Sequence, residues 1–252
     1  MSLIAYTLIF VLGCAIGSFL NVLIVRIPKD ESVVFPASHC VRCKTPLKPW
    51  HNIPVLSWLF LRGKCAFCGE KISIQYPLVE FLGGIVFLGV FVKMGISIPA
   101  AGIAVAFLLL LTLSVIDFYY KMVPDSLNLS ALTLAVVSVF SLPMLMEHFT
   151  HALIFAGAFS LLRFYLSYVI KQEAMGEADI MIAATMGALL GVKLTLAAIF
   201  LSAVLALPAM LLLRNETDES KQVPFIPFLA MATWVVFLFD TQVSAYIGGL
   251  YG

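Results

Sequence analysis

Two groups of side chains in this sequence have the type and spacing to do chemistry. One is a set of four cysteines in two pairs, Cys40-x-x-Cys43 and Cys65-x-x-Cys68. The other is a set of carboxylates inside or at the edge of long apolar runs: Glu80, Asp117, Asp125, Asp179 and Asp240, with Glu177 beside Asp179. Each cysteine pair suits a tight knuckle whose two thiolates grip one face of a tetrahedral metal. Four thiolates fill the tetrahedron and leave no position for a reacting water, so the spacing points to structural zinc. The loop 44–64 between the pairs is slightly longer than the ~15–20 residues usual in such sites. Gly69, directly after Cys68, lets backbone amides turn toward sulfur, while Pro46, Pro49 and Pro54 argue against a long helix in the loop. Two disulfides and four unrelated buried thiols are the other readings. His39 and His51 lie nearby, but a fifth ligand is not needed. Cys14, inside the first apolar run, reads as a small packing residue.

A carboxylate placed in hydrocarbon is costly and is a functional candidate by default. Two that share a site cannot both ionise cheaply, so the pair holds one proton between them. The ionised member can then act as base toward water while the protonated member polarises a scissile carbonyl. Peptide hydrolysis needs that combination, and neither H-E-x-x-H nor G-x-S-x-G is present as a rival. Asp117 closes one apolar run and Asp179 opens another, so both fall at the same membrane boundary and can meet if their helices are neighbours. Asp117 stands at a helix C-terminus, where a carboxylate opposes the local dipole and calls for another purpose. Asp179 equally suits capping the helix it opens, and Asp125, after Pro124, suits an N-cap. Glu80 could pair with a basic residue of the polar insertion, and Asp240 reads as a solvated or paired end residue.

The elements that must position these groups are membrane spans. Of 252 residues, 62% are hydrophobic and 12% charged, about half the charged fraction of an ordinary soluble domain (~25%). Uncharged runs close to the ~20 residues that cross a bilayer as helix recur along nearly the whole chain. Eight spans are expected: 3–25, 76–92, 96–116, 126–146, 151–170, 179–192, 194–213 and 223–247. The fold class is therefore an all-α polytopic membrane protein with a small cytoplasmic zinc-binding insertion. It divides into a first transmembrane helix (1–25), a four-cysteine domain (26–75) and a membrane-embedded domain (76–252). With the N-terminus outside, all but two of the 15 Lys and Arg, namely Lys93 and Lys193, fall on the cytoplasmic side, as the positive-inside rule requires. A reducing cytoplasm then disfavours disulfides between the four cysteines. No basic residue precedes Arg26, so the N-terminus does not read as a cleavable signal. Gly13-x-x-x-Gly17 and Gly187-x-x-x-Gly191 read as helix-packing faces. No basic stripe with interleaved aromatics suggests nucleic acid as a partner.

The order of these residues resembles the bacterial type IV prepilin peptidases over nearly the whole chain. Gly17-Ser18-Phe19-Leu20-Asn21-Val22, leading to Arg26-Ile27-Pro28, is similar to the family's opening motif. Pro36-x-Ser38-x-Cys40-x-x-Cys43 and Cys65-x-x-Cys68, then Tyr76-Pro77-x-Val79-Glu80, resemble its cytoplasmic domain. Asp117 with Val123-Pro124-Asp125 resembles the first catalytic motif, Gly176-Glu177-Ala178-Asp179 the G-x-G-D motif, and Val223-Pro224-Phe225-x-Pro227-Phe228-Leu229-Ala230 the last. The resemblance implies an aspartic endopeptidase of the bacterial inner membrane, with Asp117 and Asp179 as its catalytic pair. Its substrates would be type IV prepilins and type II secretion pseudopilins, cut at the cytoplasmic face, where their short basic leader is removed. It further implies an N-methyltransferase activity that uses S-adenosylmethionine, for which no G-x-G-x-x-G fingerprint or donor-binding residue is evident. Ala178 replaces the second glycine of G-x-G-D and Ile226 a glycine of the last motif. With alanine at 178, the bend before Asp179 is expected at Gly176.

Three other functions stand beside this one. A cation- or proton-coupled transporter would use Asp117, Asp179 and Glu80 as a relay, but would favour acids at mid-membrane and inverted repeats. A zinc-organised scaffold without catalysis would leave the aspartates without consequence. Archaeal preflagellin cleavage fits the acids and not the cysteine insertion.

Overall fold

The computed structural model describes residues 2–139, 141–173, 175–213 and 224–250. The expected cytoplasmic loop with Arg214 and Lys221, and Val223 of the last motif, lie outside the described residues. The chain forms two compact units, 1–95 and 96–252.

The first unit is a helix pair carrying the cysteine insertion. Helix α1 (Leu3–Arg26) begins at Ser2, whose hydroxyl accepts the Ala5 N–H at 3.3 Å. It packs along α3 (Gln75–Met94). A Cβ at Gly13 would lie 2.6 Å from Phe87 Cβ, and one at Gly17 would lie 2.8 Å from Glu80 Cα. The Gly13/Gly17 stripe is thus a packing face, where missing side chains let the backbones approach. Cys14 is buried beside Gly84, in the small-residue role expected of it. Between the two helices lie two cysteine knuckles and the short α2 (Leu56–Phe60).

The second unit holds α4 (Ile98–Tyr120), α5 (Asp125–Val137), α6 (Leu142–Ile170), α7 (Glu177–Leu213), α8 (Ile226–Leu238) and α9 (Asp240–Leu250). Five buried alanines, Ala106, Ala135, Ala152, Ala184 and Ala188, form one cluster joining α4, α5, α6 and α7. Small side chains allow close approach without a hydrophobic driving force in lipid. Gly187 belongs to this scheme: a Cβ there would meet the His151 carbonyl at 2.6 Å.

Among the described residues five helices are long and apolar enough to cross a bilayer, six if α8 and α9, bent by 85°, count as one. The expected eight spans are not confirmed, and two places explain why. The expected span 126–146 is broken after Val137, because Ser141 accepts the Met144 N–H and Pro143 stands in the first turn, a helix-start signal. The 13 residues of α5 reach about 20 Å, short of the ~30 Å hydrocarbon core. Further on, the expected spans 179–192 and 194–213 are counted once, as α7, but are two helices joined across a kink at Gly191 (φ 72°, ψ 174°). Thr195 Oγ1 donates to the Met186 carbonyl at 3.1 Å although nine residues separate them; in straight helix that interval rises about 13 Å. The chain therefore bends sharply there. Gly191 serves as this turn and also faces α6, since a Cβ there would lie 3.5 Å from the His151 ring.

Candidate active site and metal centre

The two knuckles of the first unit are built alike. In the first, the Cys40 N–H donates to the Thr45 carbonyl (3.0 Å) and the Lys44 N–H to the Cys40 carbonyl (2.9 Å). In the second, the Cys65 N–H donates to the Glu70 carbonyl (2.7 Å) and the Gly69 N–H to the Cys65 carbonyl (3.0 Å). The residue four beyond each leading cysteine is left-handed, Lys44 at φ 57° and Gly69 at φ 71°. Gly69 does what its residue type suggested; Lys44 is its counterpart, legible only from the matching offset. Arg42 of one knuckle pairs with Glu70 of the other.

All four sulfurs lie within 4.8 Å of one another. Cys40 Sγ and Cys68 Sγ are 3.8 Å apart, the edge of a tetrahedron with metal–sulfur bonds of about 2.3 Å. The cysteines are free thiols. The Thr45 hydroxyl and then its N–H bring the Cys43 thiol down to about 6, and the N–H groups of Cys68 and Phe67 lower Cys65. One thiol of each knuckle thus favours thiolate, the ligand form, while Cys68 is pushed up to about 11: the Glu70 N–H lowers it, but desolvation and its contacts with Cys65, Cys43 and Cys40 outweigh that. The donor set fits zinc: four soft sulfurs, tetrahedral spacing and amides aimed at sulfur. His39 instead contacts the Ala37 carbonyl at 3.0 Å, and His51 packs edge-on to Trp50 and Phe67.

Glu80, on α3, is buried and accepts the Val55 N–H at 2.7 Å. It anchors the insertion through backbone and not through the basic side chain anticipated. Val55 is held at φ 61°, an unusual value for a β-branched residue.

In the second unit, Asp117 is buried at the C-terminal end of α4. Its Oδ2 accepts the N–H of Ile226, the first residue of α8, at 3.3 Å. The penalty of a carboxylate at one helix C-terminus is offset by the N-terminus of another helix. That contact also gives the segment from Pro224 a task the sequence alone did not reveal.

Asp179 is half-buried, the third residue of α7. The Gly176 N–H donates to its carboxylate, as the acid of a capping box takes the N-cap amide. The motif glycine therefore serves through its amide. Among the described residues of the motif none is left-handed, so Gly176 is not there to supply a positive φ. Ala178 sits within the helix, where alanine needs no special dihedral. Asp179 lies within electrostatic reach of Asp117. Their helices are joined through α5 and α8, each of which packs against both.

Asn128, missed by the sequence reading, is fully buried on α5, and its amide donates to the Ala178 carbonyl at 3.1 Å. Asp125 is exposed at the first position of α5; the N-cap is Pro124, so the capping role expected for Asp125 is not realised. Glu177 is exposed and pairs with Arg163 at 2.9 Å. Asp240 opens α9, where its Oδ1 accepts the Thr241 N–H at 2.6 Å.

Fold and site together define a helical, multi-span membrane protein with a tetrathiol cluster and a pair of interacting aspartates. Residues 11–94 match the bacterial peptidase A24 N-terminal domain, and residues 104–211 match the type IV leader peptidase family. The chain is 33% identical to a prepilin leader peptidase/N-methyltransferase of Neisseria gonorrhoeae, covering 96% of this chain and 93% of that one. It is 34% identical to the protein of that name in Xanthomonas campestris pv. campestris (94% and 92% covered). With the Myxococcus xanthus protein of that name it shares 38% identity, over 72% of this chain and 55% of that one. No solved structure matches. The chain belongs to the type IV leader peptidase family.

Proposed function

We propose that the chain is an inner-membrane aspartic endopeptidase that removes the short basic leader from type IV prepilins and type II secretion pseudopilins. In this reading Asp117 and Asp179 are the catalytic pair, and the same protein N-methylates the new N-terminus with S-adenosylmethionine. The observation that carries it is the approach of two aspartates from separate helices, each held by a backbone amide at a helix N-terminus. One proton shared by the pair lets one carboxylate activate water and the other polarise the peptide carbonyl. The names of the relatives support prepilin as substrate and methyl transfer as a second activity. Nothing in the family or the site favours the transporter.

The basic residues, gathered to one side of the spans, support an N-terminus in the periplasm and a catalytic face in the cytoplasm. We read 1–25 as the first transmembrane helix, 26–75 as a cytoplasmic domain held by structural zinc, and 76–252 as the embedded peptidase domain. The test is cleavage of a purified prepilin by wild type, Asp117→Asn and Asp179→Asn. Loss of ~10²–10⁴-fold in rate is expected for each variant. Cleavage at the wild-type rate by either would remove the paired-acid reading.

A further inference from the structure

The helix of the cysteine insertion, α2, has two unlike sides. On the inner side the Trp58 indole N–H donates to the Ile72 carbonyl at 3.1 Å, and its ring lies against Gly63. Leu56, Leu59 and Phe60 fall on the other side, at the i, i+3, i+4 spacing of one helical face. They are 51%, 57% and 83% exposed. The chain holds this bare apolar face at a defined depth. Val55, directly before α2, donates its N–H to Glu80 at 2.7 Å. Glu80 is the sixth residue of α3, about 8 Å along that helix. The 20 residues of α3 are about as long as the hydrocarbon core is thick, ~30 Å, so its first turns lie at the membrane boundary. The start of α2 is therefore pinned beside that boundary, with Leu56, Leu59 and Phe60 turned outward.

Charge selects what covers the face. Just after α2 the chain forms a short antiparallel bridge, Lys64 opposite Lys71, with the Ile72 N–H donating to the Gly63 carbonyl at 2.8 Å. The bridge gathers Arg62, Lys64 and Lys71, all exposed, at the C-terminal end of α2. Among the described residues no carboxylate pairs with any of the three, and Glu70, beside Lys71, is taken by Arg42. A second copy of the same surface would set these like charges against each other. A layer that is apolar beneath and anionic on top suits both the leucines and phenylalanine and the cations. We infer that α2 is an interfacial anchor: Leu56, Leu59 and Phe60 enter the acyl boundary of the cytoplasmic leaflet, and Arg62, Lys64 and Lys71 hold anionic phospholipid headgroups. The side of the membrane follows the orientation proposed above. The lipid contact itself rests on neither the aspartate pair nor methyl transfer.

The experiment uses the full-length, zinc-loaded protein in nanodiscs of phosphatidylcholine alone or with about one-third phosphatidylglycerol. A photoreactive p-benzoylphenylalanine stands in place of Phe60 or, separately, of Leu59. Ultraviolet light should give a phospholipid adduct, read by mass, at both positions, at least about threefold more abundant with phosphatidylglycerol. Replacing the three cations together, Arg62→Gln, Lys64→Gln and Lys71→Gln, should abolish that preference while the unfolding midpoint stays unchanged. Should that variant not fold, about 0.5 M salt screens the same charges in the parent protein and should abolish the preference equally. Absence of a lipid adduct at both positions would overturn the inference. So would equal adduct in the two lipids, or a preference that survives both the substitutions and the salt. Label transferred to a second copy of the chain, or to added prepilin in place of lipid, would show a protein-docking face, and the inference would also fall.

Discussion

Asp117 and Asp179 illustrate how much of a site residue type and position can reveal. Their place at the ends of apolar runs was legible from the sequence, because an uncompensated carboxylate in hydrocarbon is too costly to be incidental. Their partners were not. The Ile226 N–H that meets Asp117 comes from a helix start far along the chain, and backbone amides leave no trace in residue identity. Asn128 was equally silent: one asparagine in a helix has no spacing signature, and only its bond to the Ala178 carbonyl shows that it steadies the turn of chain leading into Asp179. Replacing it with leucine removes a buried hydrogen bond worth about 1–3 kcal/mol when a partner is orphaned. Asn128→Leu should therefore lower kcat for prepilin cleavage roughly tenfold with metal content unchanged, measured on the same preparation. Wild-type kcat would show that Asn128 plays no part in positioning the acid.

At the scale of elements, apolarity announced that helices cross the membrane but not where each begins and ends. Hydropathy averages over the break after Val137, and the cap at Ser141 with Pro143 marks where α6 begins. Gly191 shows the converse. The division between its flanking spans was expected from Lys193 interrupting the apolar run, and its cause is the left-handed dihedral that glycine adopts freely. The Gly13/Gly17 face was readable because a small-xxx-small spacing has one physical use in lipid. Its energetic weight can be tested directly. A leucine at Gly13 must displace Phe87 and the backbone of α3. Overpacking of this kind costs ~1–3 kcal/mol, so Gly13→Leu should lower the unfolding midpoint in detergent by several degrees. Gly157→Ala, with nothing within 4 Å of its added methyl, should leave it unchanged. Equal midpoints for the two variants would mean that α1 and α3 are not held by this stripe.

For the whole molecule, one chain combines a part that a metal can hold together with a part that lipid can hold together. The insertion between α1 and α3 has few buried apolar side chains, so its folding should depend on bound zinc. One equivalent of metal is expected per chain. It should be lost in Cys40→Ser and Cys65→Ser, and trypsin should then cut rapidly at Lys44, Arg62 or Lys64. Full metal content in either variant would contradict a four-thiolate site. The membrane part has a different task, to bring Asp117 on α4 and Asp179 on α7 within reach of each other through α5 and α8. If the two acids work as one unit, removing either already removes the function, and their losses cannot multiply. Prepilin cleavage by Asp117→Asn, Asp179→Asn and the double variant tests this most directly. All three should share the same low residual rate; a double variant slower than both singles by the product of their separate losses would show two acids acting independently.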